Sequence, residues 1–319
     1  MPLLTSSGFS PNLCIKSEFC KSFSNSAREL ASDSVAPATR RAYQGAIARL
    51  NSWLGSHQLT DETFAEYLAW LHESGNSPAT CSQVVAAIQF AAKVADWDVP
   101  YGPSSKRVLA GIRRAGRERG RGQAQGITWE EADRMAEIAS GRRKKLAGIR
   151  DAAIVATASD ALLRVGELSA LQTDDFAARK DGSGRLVIRF SKTDQEGLGA
   201  VLYLGASTVT RLQAWIGCAA IDDGPLFRQV REDGAVLKNG LSAHSMRAII
   251  QRCAKDAGIE GAVRGHSLRV GAAQSLAGAG AGLVELQTVG RWESPGMPAR
   301  YARAEIAGRS AVARLRYGK

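Results

Sequence analysis

The chain is short of cysteine, of histidine and of acid. Of 319 residues only five are cysteine and four histidine. Cys14, Cys20, Cys81, Cys218 and Cys253 are odd in number, scattered, and form no Cys-x-x-Cys pair. That excludes a disulfide framework and a zinc site of the usual spacing, and it points to a reducing compartment. No run of about eighteen apolar residues occurs, and no basic stretch leads into an apolar one at the amino terminus. Neither a membrane span nor a signal peptide is expected. The phosphate loop GxxxxGK[ST], a GxGxxG after a strand, HExxH and GxSxG are all missing.

What is present is positive charge. Lys and Arg number 42 against 31 Asp and Glu, a net charge of +11. The partner implied is anionic: nucleic acid, or less fittingly a membrane surface, for which no basic amphipathic helix with a broad apolar face is found. The plainer reading is a soluble protein that happens to be basic. At 45% hydrophobic residues the chain can build real cores, and its length allows two domains.

Residues 1–34, rich in Ser, Asn and Phe, read as a poorly ordered tail with one short helix near Glu29. From residue 35 to 115 four amphipathic helices are expected. Tyr43, Ile47, Leu50 and Leu54 share one face of the first, and Phe64, Tyr67, Leu68 and Leu71 one face of the second, which stops at Gly75. Ser77 and Pro78 open the third, and "SSKRVLAGIRRAG" fits the fourth. Residues 116–127, with "GRERGRGQAQG", are too polar and glycine-rich to pack and read as a basic linker. A second domain, 128–319, opens on a Thr128–Glu131 capping box. Its one clear strand signal is "GRLVIRFSKTDQEGLGAVLYLG", two β-branched runs about a polar turn. The fold class is mainly α with a small β-sheet (α+β).

The chemistry rests on cations, one His and one Tyr. Arg164 starts an apolar helix in "LLRVGEL", with Glu167 three residues on. The pair is either a simple ion pair or an Arg oriented to grip a phosphate. His266 and Arg269 lie at i, i+3, on one face near a helix N-terminus, although His-x-x-Arg alone is a weak motif. Lys192 sits in the turn between strands, where a Lys is either solubilising or a mobile proton donor. Trp292 alone reads as core. Tyr301, between Arg300 and Arg303, is the odd residue, since a phenol needs nearby cations to act as a nucleophile near neutral pH. Together these residues describe a phosphoryl-transfer site without a metal.

The ordered series "LLRVGEL", "FSKTD", "GHSLRVGAA", "VGRW" and "ARYAR" resembles the tyrosine recombinases, or phage integrases, with wording closest to their Cre-like branch. The resemblance runs from Pro37 to the carboxyl terminus. It implies a four-helix core-binding domain and a mixed catalytic domain closing as a C-shaped clamp on double-stranded DNA. It implies inverted-repeat target sites, a homotetramer at synapsis, a 3′-phosphotyrosyl intermediate and a Holliday junction, with no cofactor, metal or ATP. Tyr301 would be the nucleophile, Arg164 and Arg269 the phosphate clamp, and Lys192 the general acid. His266 would assist the proton transfer, Trp292 would donate to a non-bridging oxygen, and Glu167 would match the acid beside the first Arg. Arg291 stands where a smaller residue is common, and two prolines precede the Tyr. Candidate DNA contacts are Arg40, Arg41, Lys106 and Arg107 in the first domain, Arg117, Arg119 and Arg121 in the linker, and His244 and Arg247 in the second. The terminal segment, about 304–315, carries Ile306, Ala311, Val312 and Leu315 on a short apolar face and is expected to dock on a neighbouring protomer, or else on its own domain. The implied location is the cytoplasm, at the nucleoid. Alternatives are a type IB topoisomerase-like or telomere-resolving enzyme, or a non-catalytic DNA-binding protein on the same fold.

Overall fold

The computed structural model describes residues 26, 35–95, 98–116, 124–189, 199–308 and 315–316. The expected tail (Ser26 apart), Arg117, Arg119, Arg121, Lys192, Ala311, Val312 and Tyr317 lie outside the described residues. The chain divides into two compact units, Met1–Gly122 and Gln123–Lys319.

The first unit holds α1 (Pro37–Leu54), α2 (Asp61–Glu73), α3 (Pro78–Ala95) and α4 (Pro103–Ala115). Each begins where the sequence provides a start. Pro occupies the first position of α1 and α4, and Thr60 and Thr63 cap α2 reciprocally. The Ser77 hydroxyl accepts from Thr80 N at 3.3 Å at the head of α3. Ile47, Leu50, Phe64, Tyr67, Leu68, Leu71, Val84, Ile88, Leu109 and Ile112 form one core. Tyr43, on the expected face of α1, is only partly buried and tilts against Phe90 at 5.5 Å. The Asp61 carboxylate ties α2 to α4, accepting from the backbone N–H of Gly102 (2.8 Å), Ser104 (2.8 Å) and Ser105 (3.0 Å). It thereby satisfies donors that a helix start leaves open.

In the second unit Thr128 and Glu131 form the capping box of α5 (Trp129–Ser140), as expected. The linker expectation is corrected at its carboxyl end. Ile127 is fully buried in the second core, and its N–H donates to Ser267 O at 3.0 Å. Composition hid this because a single apolar residue follows a glycine-rich run. α6 (Lys145–Asp160) is buried nearly all round and lacks an exposed stripe, the pattern of a central helix. After α7 (Val165–Ala170), β1 (Phe176–Ala178), β2 (Gly184–Ile188) and β3 (Ala200–Leu204) form an antiparallel sheet in that order. Leu186 pairs with Phe176 on one side and Leu202 on the other. Then come α8 (Ala206–Cys218) and a second antiparallel pair, β4 (Arg228–Val230) and β5 (Val236–Gly240). β1, β4 and β5 add to the single hairpin expected; β1 and β4, three residues each, are too short for alternation to show. α9 (Ala243–Asp256), α10 (Ser267–Ala279), α11 (Leu283–Gly290), α12 (Gly296–Tyr301) and α13 (Arg303–Ala307) complete the unit. No described helix is long and apolar enough to cross a membrane.

Candidate active site

Four chain segments converge in the second unit. The first is the turn from α6 to α7, where Leu162 adopts a left-handed backbone (φ 48°) and Arg164 caps α7. Glu167 folds back on that cap. Its Oε1 accepts from Arg164 Nη1 at 2.6 Å and its Oε2 from Arg164 N at 2.9 Å. The ion-pair reading of Arg164 is thus present. It orients the guanidinium at a helix start, where backbone N–H groups also favour an anion.

The second segment is the head of α10. His266 occupies its N-cap position and stays exposed, and Arg269 sits one turn in, only 3% exposed. Two of the five Arg269 donors are engaged, Nη1 with Leu162 O and Nη2 with Gly290 O. A Cβ on Gly271 would strike the Ile127 backbone, so only glycine lets α10 approach that closely.

The third segment is the end of α11. Gly290 lies directly under the Trp292 ring, and any Cβ there would collide with the indole. The indole is therefore folded back over Arg269, whose Cζ stands 4.5 Å above the ring. Between them Arg291 takes the left-handed conformation (φ 54°) and sends its side chain to Glu167 Oε2 at 2.8 Å and Ala161 O at 3.2 Å. The fourth segment is α12. Pro295 caps it, Pro298 is buried, and Tyr301 ends it half-buried. The Tyr301 and Trp292 rings are 5.7 Å apart, tilted at 52°, against Leu162, Ala272 and Ala273. One of the two prolines thus caps the helix that presents the Tyr, and the other lies within it.

Among the described residues, three guanidiniums surround one carboxylate, and the pKa shifts follow. Burial pushes Arg269 down to about 9, assisted by Arg164 and Arg291, yet it stays charged at neutral pH. Burial lowers Arg291 as well, and Glu167 opposes that shift. Burial would raise the Glu167 carboxyl, but Arg291 and then Arg164 overcome it and hold it below its ordinary value. His266 is pulled down by partial desolvation first, then by Arg269 and Arg164. A pocket that disfavours its own cations is relieved by an incoming anion. No group of three or more His, Cys, Asp or Glu suited to a metal occurs among the described residues.

The structure thus brings together Arg164, Glu167, His266, Arg269, Trp292 and Tyr301. Sequence reasoning registered Arg291 only as a departure. The sequence offered only its place after Gly290 as a signal; the left-handed backbone that fixes its role appears in the structure alone. Of the candidate DNA contacts, Arg41, Lys106, Arg107, His244 and Arg247 are exposed, and Arg40 is partly buried, its Nη2 3.4 Å from Val35 O.

Residues 126–307 match the model of the phage integrase family. The chain is 27% identical over 276 residues to recombinase cre of Escherichia phage P1, covering 80% of this chain and 79% of that protein. It is 28% identical over 260 residues to an integrase/recombinase xerD homolog of Selenomonas ruminantium, covering 76% and 75%. Among solved structures it resembles the XerH site-specific recombinase bound to a palindromic difH substrate. The TM-score is 0.64 at 16% identity, over 85% of this chain and 78% of that one. A lambda integrase dimer bound to a COC′ core site gives a TM-score of 0.60 at 18% identity, over 86% and 74%.

Proposed function

For a chain that belongs to the phage integrase family, we propose that the cluster around Arg269 is the centre at which DNA is cut and rejoined through Tyr301. The protein is a site-specific tyrosine recombinase. The observation that carries the assignment of the centre is the Trp292 ring, which Arg269 overlies at 4.5 Å and against which the Tyr301 ring tilts at 5.7 Å, in the cluster that holds the Arg164–Glu167 pair.

The scissile phosphate is received by Arg164, His266 and Arg269. Tyr301 Oη attacks phosphorus, the bond to the 5′ oxygen breaks, and a 3′-phosphotyrosyl link forms. Arg164 and Arg269 neutralise the charge that builds on the five-coordinate phosphorus. His266, whose charged form is disfavoured by partial burial and by Arg269 and Arg164, is suited to take the phenol proton. The Trp292 indole N–H donates to a non-bridging oxygen, and Lys192 protonates the departing 5′ oxygen. The new ester keeps the energy of the broken one, so a 5′-hydroxyl from another duplex reverses the reaction and exchanges strands.

The exposed cations Arg41, Lys106, Arg107, His244 and Arg247, with Arg40 and the linker arginines, serve as contacts to duplex DNA. Inverted-repeat sites, a homotetramer at synapsis and a Holliday junction complete the reaction, carried out at the nucleoid. The segment from Ala304 docks on a neighbouring protomer; Ile306 and Leu315, 37% and 85% exposed, supply its apolar face. To test the reading, a plasmid carrying two copies of the site, selected from random DNA by binding, is incubated with the protein and a chelator. Recombinants and a four-way intermediate are expected, with no relaxation of a plasmid lacking the site. Relaxation without a site would overturn recombination in favour of a topoisomerase.

A further inference from the structure

Arg291 is an expensive residue to keep where it is. Its backbone is left-handed (φ 54°), a conformation that glycine adopts freely at a helix end and Arg rarely does. Its Nε is buried without a hydrogen-bond partner. Nothing about ending α11 requires a long side chain. What the side chain reaches is Glu167 Oε2, the oxygen that also accepts from Arg164 N, in a carboxylate only 4% exposed. It also reaches the Ala161 carbonyl at 3.2 Å and Leu162 O at 3.5 Å, the latter shared with Arg269 Nη1. Strain of this kind persists where the surroundings hold it in place, and it clusters at working sites.

We infer that Arg291 is a positioning residue, which braces Glu167 and the Ala161–Leu162 turn so that Arg164 and Arg269 stay aimed at one phosphate. This rests on the reading of the cluster as the DNA-cleaving centre. Both oxygens of Glu167 are engaged: Oε1 accepts from Arg164 Nη1, and Oε2 from Arg164 N and Arg291 Nη2. Fixed at both oxygens, the carboxylate cannot swing, and Arg164 Nη1 is fixed with it.

The groups that face Glu167 are Arg164 from the start of its own helix, Arg291 from the end of α11, and Arg269 and His266 from α10. Arg291 is foremost among those that oppose the upward push of burial. Without it Glu167 takes up a proton at higher pH, and a protonated Glu167 no longer grips Arg164.

The test uses the full chain and a nicked copy of its selected site that traps the covalent complex. Wild type and Tyr301→Phe come first. If the Phe variant still forms the adduct, the cleavage reading itself fails, whatever Arg291 does. With that reading secure, Arg291→Ala is expected to cleave about 10²-fold more slowly, the order of loss from a small misplacement, while site affinity changes little. The acidic limb of its rate–pH profile moves to higher pH, and Arg291→Lys recovers part of both. In a Glu167→Gln background, adding Arg291→Ala costs little more. Arg291→Gly suits the left-handed backbone, so it separates positioning from folding if the Ala variant is unstable. A folded Arg291→Gly that cleaves at the wild-type rate overturns the inference. So does an acidic limb that does not move, or full additivity with Glu167→Gln.

Discussion

At the scale of single residues, Arg269 is tightly constrained. It is buried, held by two carbonyls and covered by an indole. A lysine in its place keeps a charge but cannot hold two carbonyls in one plane and still face a phosphate. Arg269→Lys is therefore expected to lose about 10²–10³ in single-turnover cleavage with far less effect on DNA binding. Cleavage at the wild-type rate would contradict the clamp. Of the proposed site, the residue types and their order were legible in the sequence, because a phosphoryl-transfer centre draws on cations, a nucleophile and proton donors. The role of Arg291 was not, because it depends on a backbone conformation that brings two positions 124 residues apart together.

At the scale of elements, the sequence is most readable where local rules govern. The four helices of the first unit start at their prolines and caps, and the faces read for the first two are buried apart from the partly covered Tyr43, since a 3.6-residue period suffices to define them. The short strands β1, β4 and β5 and the burial of Ile127 depend on partners far along the chain, and no local pattern reports them. One cross-element tie is open to titration. Burial pushes the Asp61 carboxyl up, but its Ser105, Ser104 and Gly102 donors prevail and hold it well below the usual carboxylate range. A folded-state pKa depressed in this way contributes stability above the unfolded value, about 3.9. That contribution is lost as pH falls through the folded one. In thermal melts of the full chain, the wild type should lose melting temperature below about pH 4 more steeply than Asp61→Asn. Parallel slopes would show that the carboxylate does not hold α2 to α4. Melts at neutral pH should also place Gly271→Ala below wild type, because a methyl there pushes α10 off the Ile127 backbone.

At the scale of the whole molecule, the excess of positive charge sets how DNA is held. Each Lys or Arg on a phosphate releases counterion, so log affinity falls against log salt with a slope of about −0.9 per contact. Arg247, exposed on α9, is expected to be one such contact. Arg247→Ala should make that slope shallower by about 1. An unchanged slope would remove Arg247 from the DNA surface. The central claim, that Tyr301 is the residue joined to DNA, is met most directly by isolating the covalent complex on a nicked site, digesting both polymers and sequencing the peptide that carries the nucleotide. The account predicts a phosphotyrosine at Tyr301, bonded to a 3′ phosphate and leaving a free 5′-hydroxyl. Recovery of the nucleotide on Tyr317, or a 5′-phosphate linkage, would contradict it.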